Sequence, residues 1–412
     1  MSEDEAQLET PAPTGLLRPG FGTRLAIAVL GAIVLALVLQ VVTADGPDAV
    51  SGGVGGDYAS FYAAGGLALD DPGLDPRALY DPDAQFRKQA PVLPSDSDGN
   101  LYFGYPAFFV VPYVPLAALG FGASYLLHTG LMALALVTAL RLVRPMAALV
   151  RAHAVEALAI AVTFFPLFRG ITGGQNTALS VLLVAVIWRS LHEGREVPAG
   201  VAAGLLLFKP PLALPFLGAL VLARHWRAVL AAVVTAAALY GIGAVATGPA
   251  WPSAWADAVR YLDRVDTPFN VQNFVSVPGA AEAIFGIDSA PATIVGFGLA
   301  AVAVVIVSWA WWRGEGDLAG RIALTTAGAL VMSPHALYYD AGLLVLVAIV
   351  LVERHPDLRR WLPVLWAAGL THLAADALGF SPLSALVVVA FVTTVWLMRS
   401  RSVVSKPHLS RA

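Results

Sequence analysis

An all-α polytopic membrane protein is the fold class this sequence predicts, and three observations predict it. Of 412 residues, 58% are hydrophobic and only 13% charged, whereas ordinary soluble domains carry about 25% charged residues. Mean hydropathy is +0.72. Apolar runs close to the roughly 17–25 residues that a membrane-crossing helix needs recur from Leu25 to Met398. One membrane domain therefore accounts for residues 21–400.

Along the chain, residues 1–20 are acidic and proline-containing and read as a disordered cytoplasmic N-terminus. The first apolar run, Leu25 to Val42, ends in Val42-Thr43-Ala44, which imitates a signal-peptidase site. It is longer than a signal-peptide core and reads as a retained anchor. Candidate spans follow at roughly 24–44, 105–120, 123–141, 153–168, 176–190, 198–208, 211–223, 228–247, 291–312, 319–333, 339–353, 361–378 and 384–399. Two hydrophilic stretches separate them, a first outer loop at 45–104 and a second at 248–290, and residues 401–412 form a cytoplasmic tail.

Arginine and lysine mark cytoplasmic loops. They cluster at Arg141/Arg144/Arg151, Arg189/Arg195, Arg224/Arg227, Arg313/Arg321, Arg354/Arg359/Arg360 and in the tail. Traced back from an inside C-terminus, these clusters alternate with the remaining loops except at 105–140, which must cross an odd number of times. Either the proline-rich part (Pro106, Pro112, Pro115) is a half-span or re-entrant piece, or the Arg141 cluster lies outside; the total is about twelve or thirteen spans. The chain has no cysteine, which excludes disulfides, thiol catalysis and thiolate metal sites. A net charge of −3 argues against a nucleic-acid partner.

Under this topology Asp57, Arg169, Gln175, Asn176, Lys209, Asn273, His335 and Asp340 come out on or near one outer face, which reads as one site. Asp57 stands in Gly55-Gly56-Asp57-Tyr58-Ala59-Ser60-Phe61-Tyr62. It is a helix cap, a catalytic carboxylate or both. Tyr58, Phe61 and Tyr62 share a helical face suited to the membrane interface, so interfacial helices are expected in the first outer loop. Gly173-Gly174-Gln175-Asn176-Thr177 opens a span, either as a plain glycine turn with an asparagine cap or as amides and free N–H groups offered to a sugar or phosphate. Lys209, in Phe208-Lys209-Pro210-Pro211, sits at a proline-broken turn from which it can snorkel. A charge costing about 2.5–3.5 kcal/mol at the bilayer centre points to an anionic ligand rather than simple anchoring.

Ser333-Pro334-His335-Ala336-Leu337-Tyr338-Tyr339-Asp340 again interrupts a membrane block. His335 could bind phosphate or sugar or be structural, and Asp340 could cap the next span. Asp257, Arg260, Asp263 and Arg264 in the second outer loop read as decoration of an interfacial helix carrying Trp251, Trp255, Val259 and Leu262. Asp81-Pro82-Asp83 and Asp96-Ser97-Asp98 lie in turn sequence without partner ligands. Neither a dinucleotide-binding glycine motif nor a P-loop is present.

Taken in order, this set resembles glycosyltransferase family 87, the polyprenyl-phosphate-sugar-dependent mannosyltransferases of the GT-C membrane superfamily. The matching pieces are Asp57 with Tyr58 to Gly65, the Tyr80 region, Tyr105-Pro106, Gly174-Gln175-Asn176, Lys209-Pro210 and Ser333-Pro334-His335. The resemblance implies a GT-C-like bundle of about 12–13 transmembrane helices with Asp57 as the catalytic base. It also implies metal-free transfer, because the leaving group is a lipid monophosphate. The chain departs from the family in Tyr105-Pro106-Ala107, in Gln272-Asn273-Phe274-Val275-Ser276, and in having Tyr338-Tyr339 after His335.

The expected activity is transfer of a hexose, mannose first, from a polyprenyl-phosphate-sugar donor to a glycan or glycolipid acceptor, on the outer face of a bacterial cytoplasmic membrane. Donor and acceptor contacts would come from Lys209, Gln175, Asn176, His335, Arg169, Asn273, Tyr58 and Tyr105, with no cofactor. A transporter or lipid flippase is the competing class, since broken helices line substrate sites. Against it, the sequence shows no internal repeat and its polar residues collect at one surface. A noncatalytic scaffold would leave Lys209 unexplained.

Overall fold

The computed structural model describes residues 21–43, 56–93 and 101–402. The expected disordered N-terminus, Ala44, Gly55, Asp96-Ser97-Asp98 and tail residues 403–412 lie outside the described residues. The described chain is helical from end to end, with one isolated antiparallel bridge, Phe274 to Leu337.

The expected apolar segments return as helix. They are α1 (Phe21–Thr43), α2 in the first loop (Tyr58–Asp70), α3 (Phe121–Val143), α4 (Ala154–Thr163), α5 (Phe165–Thr172), α6 (Thr177–His192) and α7 (Glu196–Leu205). The second half contributes α8 (Pro210–Leu222), α9 (Trp226–Thr247), α10 in the second loop (Trp251–Val265), α11 (Ala290–Arg313), α12 (Leu318–Met332), α13 (Leu344–Arg354) and α14 (Leu383–Ser402). Four of them, α1, α3, α9 and α11, are unbroken and long and apolar enough to cross a membrane. Others are shortened or bent where proline intervenes. α4 and α5 meet at 75°. Phe164 between them is extended, and Pro166 in the first turn of α5 lacks the N–H that would carry the α4 hydrogen bonds onward. Residues 361–378 form several short helical pieces rather than one rod.

Residues 107–117 are the segment on which the parity count turns. Pro112 and Pro115 lack the N–H that a regular α-helix needs, and the segment is a 3₁₀ turn, Ala107–Tyr113, followed by a short α-turn, Val114–Ala117. At about 2.0 Å per 3₁₀ residue and 1.5 Å per α residue it spans roughly 20 Å, about the length of α8, so its placement and not its length sets it apart. It packs beneath α2, where Gly65 approaches the Tyr113 carbonyl so closely that a Cβ would fall 2.5 Å from it. Counted without this segment, the expected crossings are α1, α3, the α4–α5 pair, α6, α7, α8, α9, α11, α12, α13, the 362–378 pieces and α14, twelve in all. Counted this way the arginine clusters all fall on one side, while four helices, or five with the bent α4–α5 pair, are long and apolar enough on their own to cross.

The arginine-cluster end is tied together by Glu353, which accepts from the Ala148 and Leu149 N–H groups at 2.8 and 3.0 Å, and by the His225–Glu196 contact at 3.0 Å. The opposite end is closed by Tyr125 Oη donating to the Thr172 carbonyl at 2.7 Å, and by Trp255 Nε1 donating to the Gly104 carbonyl at 2.9 Å.

The aromatic face of α2 is turned to protein. Tyr58 and Phe61 are fully buried, and their rings pack on Tyr113, Tyr125, His128 and Phe103. An i, i+3 aromatic face serves protein packing as readily as a bilayer surface, and here protein covers it. The same holds for α10, whose Trp251 is buried against α9 by a 3.1 Å bond to the Tyr240 carbonyl. Its Asp257–Arg260 pair, 2.7 Å apart, is a solvated surface contact of little energetic weight. Asp81 caps the helix Pro82–Gln89 by accepting from Ala84 N–H at 2.7 Å, the turn role expected of it.

The cysteine-free chain makes the topology directly testable. A membrane-impermeant thiol reagent should label Asp71→Cys and Asp257→Cys from one side, and Arg144→Cys and Arg359→Cys only from the other. Labelling of Arg144→Cys and Asp71→Cys from the same side contradicts the twelve-crossing arrangement.

Candidate active site

Asp57 occupies the position before α2 in helical conformation (φ −66°, ψ −24°), yet its side chain makes no capping bond. The helix is opened instead by a backbone contact across the bundle, Tyr58 N–H to the Gly173 carbonyl at 3.2 Å. Glycine makes this approach possible. Gly174 has φ +85°, and a Cβ there would lie 2.4 Å from the Tyr58 Cβ. A Cβ at Gly173 would lie 3.7 Å from Asp57 Oδ2. The 173–174 turn is thus pressed against the start of α2, and the Asp57 carboxylate, released from capping, faces the turn.

Gln175 and Asn176 follow. The Gln175 side chain hydrogen-bonds Asp57, while its Oε1 accepts from Tyr105 Oη at 3.0 Å. Asn176 Oδ1 accepts from Tyr113 Oη at 2.8 Å, and no side-chain cap bond forms at the start of α6. Asn176 is only 1% exposed. It is enclosed rather than presented to a ligand, and the expected asparagine cap is replaced by a tyrosine contact. Tyr58 is equally enclosed, its hydroxyl 2.6 Å from Ser124 Oγ.

Lys209 departs from the snorkelling expectation. Between a 3₁₀ turn, Leu206–Phe208, and the proline start of α8, its ammonium turns inward to Asp340 Oδ1 at 2.5 Å. The two side chains are 12% and 8% exposed, and the ammonium also lies 5.0 Å from the Tyr339 ring centroid. Asp340 does not cap α13. It lies within the short turn Tyr338–Leu343 and is the lysine's counter-ion. Arg169, in the last turn of α5, has no carboxylate within 4.0 Å among the described residues and faces Asp57 and Tyr338.

His335 and Asn273 stand at the rim. His335 Nε2 is 3.2 Å from Asp263 Oδ1, and its ring contacts Phe274. Asn273 donates to Asn270 Oδ1 at 3.0 Å, and Asn270 donates to Asp266 Oδ1 at 2.8 Å. Val275 N–H binds the Ala336 carbonyl at 2.8 Å, clamping the second outer loop onto the Ser333–Asp340 stretch. Asp266 is a site residue that sequence reading missed: beside Thr267-Pro268 it carries only a turn signal, yet its charge reaches Asp57.

Burial pushes the Asp57 carboxyl above the usual carboxylate range. The Gln175 hydrogen bond, Arg169 and Lys209 pull it back, and Asp266 adds to the rise. Burial likewise lowers His335, opposed by Asp263 and Asp266. The outcome is a carboxylate that two cations act upon and neither touches, since among the described residues Asp57 has no ion pair within 4.0 Å.

The family model for glycosyltransferase family 87 matches residues 103–334, more than half of the chain. The match covers Tyr105, Arg169, Gln175, Asn176, Lys209 and Asn273; Asp57, His335 and Asp340 fall outside it. Searches of curated proteins and of solved structures returned no match.

Gly174→Ala should lower stability by about 1–3 kcal/mol, through backbone strain and collision with Tyr58. Thermal unfolding in detergent followed by tryptophan fluorescence should show a lower midpoint. Gly218→Ala, whose Cβ meets nothing within 4 Å, should leave it unchanged or raise it. Equal midpoints for Gly174→Ala and the parent contradict the close approach.

Proposed function

The chain belongs to glycosyltransferase family 87, and on that premise we propose that it transfers a hexose, mannose first, from polyprenyl phosphate to a hydroxyl of a cell-envelope glycan or glycolipid. The reaction takes place on the outer face of the cytoplasmic membrane. The observation that carries this reading is Asp57, a carboxylate beside two cations and, among the described residues, paired with neither.

In the proposed step the acceptor oxygen attacks the anomeric carbon as Asp57 takes its proton. The bond from that carbon to the phosphate oxygen breaks, and its electron pair leaves with the lipid phosphate. The new glycosidic bond forms with inversion. Arg169, free of a carboxylate partner, receives the growing negative charge on the phosphate. Lys209 contributes charge from behind Asp340, and Gln175 orients Asp57. The rim residues His335, Asn270 and Asn273 offer hydrogen-bonding groups to sugar hydroxyls.

A hydrocarbon-lined groove of about 510 Å³ supports a lipid carrier. It runs among α4, α13, α14 and the helix Leu362–Ala368, between walls that include Ile160, Val345, Leu365 and Val389. It reaches Phe164, where α4 turns into α5, the helix that brings Arg169 to Asp57. A polyprenyl tail in this groove would deliver its phosphate to the Arg169 side of the site.

The test is an assay in liposomes with polyprenyl-phosphate-mannose, following release of polyprenyl phosphate. Positioned general-base catalysis typically supplies 10²–10⁴-fold, so Asp57→Asn should lose about that factor while inserting normally. Near-parental turnover removes Asp57 from the mechanism.

The pH profile gives a second test. A base must be ionised, and the Asp57 carboxyl is raised. Activity should therefore fall, as pH drops, at a value above that of an ordinary aspartate, about 3.9. An acid limb at or below that value contradicts the assignment.

A further inference from the structure

We propose that Asp340 is a positioning residue, the counter-ion that holds the Lys209 ammonium off Asp57 and so keeps the base open to the acceptor. This rests on Asp57 being the base.

A buried carboxylate with a lysine nearby would ordinarily pair with it, because two charges out of water lower their energy most by direct contact. Lys209 does form such a contact, but with Asp340, at 2.5 Å and nearly out of solvent. Its second contact, the Tyr339 ring, comes from the neighbouring residue of the same turn. Two successive side chains of the Tyr338–Leu343 turn thus fix one ammonium, and Tyr338, just before them, faces the other cation, Arg169. One short segment engages both positive groups that act on Asp57. The prolines after Lys209 fix the backbone from which the lysine reaches. Remote in sequence, Lys209 and Asp340 meet only in the folded bundle.

The groups acting on Asp57 are the Gln175 amide, Arg169 from α5, Lys209 from the turn before α8 and Asp266 from the second outer loop. The Tyr105, Tyr338 and Tyr339 phenols also feel its charge. Of these, only Lys209 depends on Asp340 for its counter-charge.

Removing Asp340 alone and removing Lys209 alone therefore have opposite consequences. Asp340→Asn releases a charged lysine whose field already reaches Asp57. The carboxylate is captured, its ionised form is favoured, and the acid limb of kcat/KM moves to lower pH while the plateau rate falls. Lys209→Met removes a cation and leaves the Asp340 charge, so the acid limb moves to higher pH. Each displacement should be about one pH unit, the effect of one uncompensated charge nearby at an effective dielectric near 20. In the double variant no lysine is left to capture Asp57, and the plateau should recover above that of Asp340→Asn.

The experiment measures kcat/KM against pH for the parent and these three variants in liposomes with polyprenyl-phosphate-mannose. Opposite shifts with plateau recovery support the proposal. An Asp340→Asn acid limb that stays at the parental pH or moves up overturns it, as does a double variant no faster than Asp340→Asn. Should Asp340→Asn fail to accumulate in membranes, Lys209→Met decides: its acid limb must move up, and an unmoved limb overturns the proposal. Failure of the base assignment itself is separately visible, because Asp57→Asn would then keep its turnover.

Discussion

A carboxylate that works as a base within a membrane protein can be lost in two ways. Burial can hold its proton on, and a neighbouring cation can bind it so tightly that no substrate proton can reach it. The arrangement around Asp57, the proposed base, answers both constraints. Arg169, Lys209 and the Gln175 hydrogen bond counter the protonating effect of burial, and both cations act across space rather than by contact. Charge is supplied without occupation.

That balance depends on two backbone features. The first is the Gly173–Gly174 turn, whose positive φ and missing Cβ let α2 seat its first residue against a carbonyl from another helix pair. Asp57 is thereby excused from capping its own helix. The second is the proline-started α8, which leaves Lys209 on a fixed turn facing the Tyr338–Leu343 segment. The second outer loop, pinned by the Val275–Ala336 bond, closes the rim with His335, Asn270 and Asn273. Five separate chain segments thus meet at one site.

Much of this was legible in the sequence because a membrane solvent penalises polar groups so strongly. Asp57, Arg169, Gln175 and Lys209 stand out against hydrocarbon-compatible surroundings, and the structure gathers them around one carboxylate. The apolar segments were readable for the same reason, almost to their ends. What stayed hidden depends on choices a one-dimensional pattern does not make. An aromatic i, i+3 pair such as Tyr58 and Phe61 fits either lipid or protein. A lysine near a helix end can snorkel outward or pair inward, and the choice of Asp340 is made by residues far apart in the chain. Asp266 looks like any turn aspartate. The 107–117 segment has the hydropathy of a span, and only the fold shows its proline-bearing 3₁₀ turn packed beneath α2.

The most direct measurement is a cryo-electron microscopy structure of the protein in lipid nanodiscs with a nonhydrolysable polyprenyl-phosphonate sugar. The account predicts the anomeric carbon beside the Asp57 carboxylate, the phosphonate against Arg169, and Lys209 still held by Asp340. A sugar phosphonate bound at the arginine-cluster end of the bundle, or Asp57 in contact with a lysine or arginine when donor is bound, would contradict it.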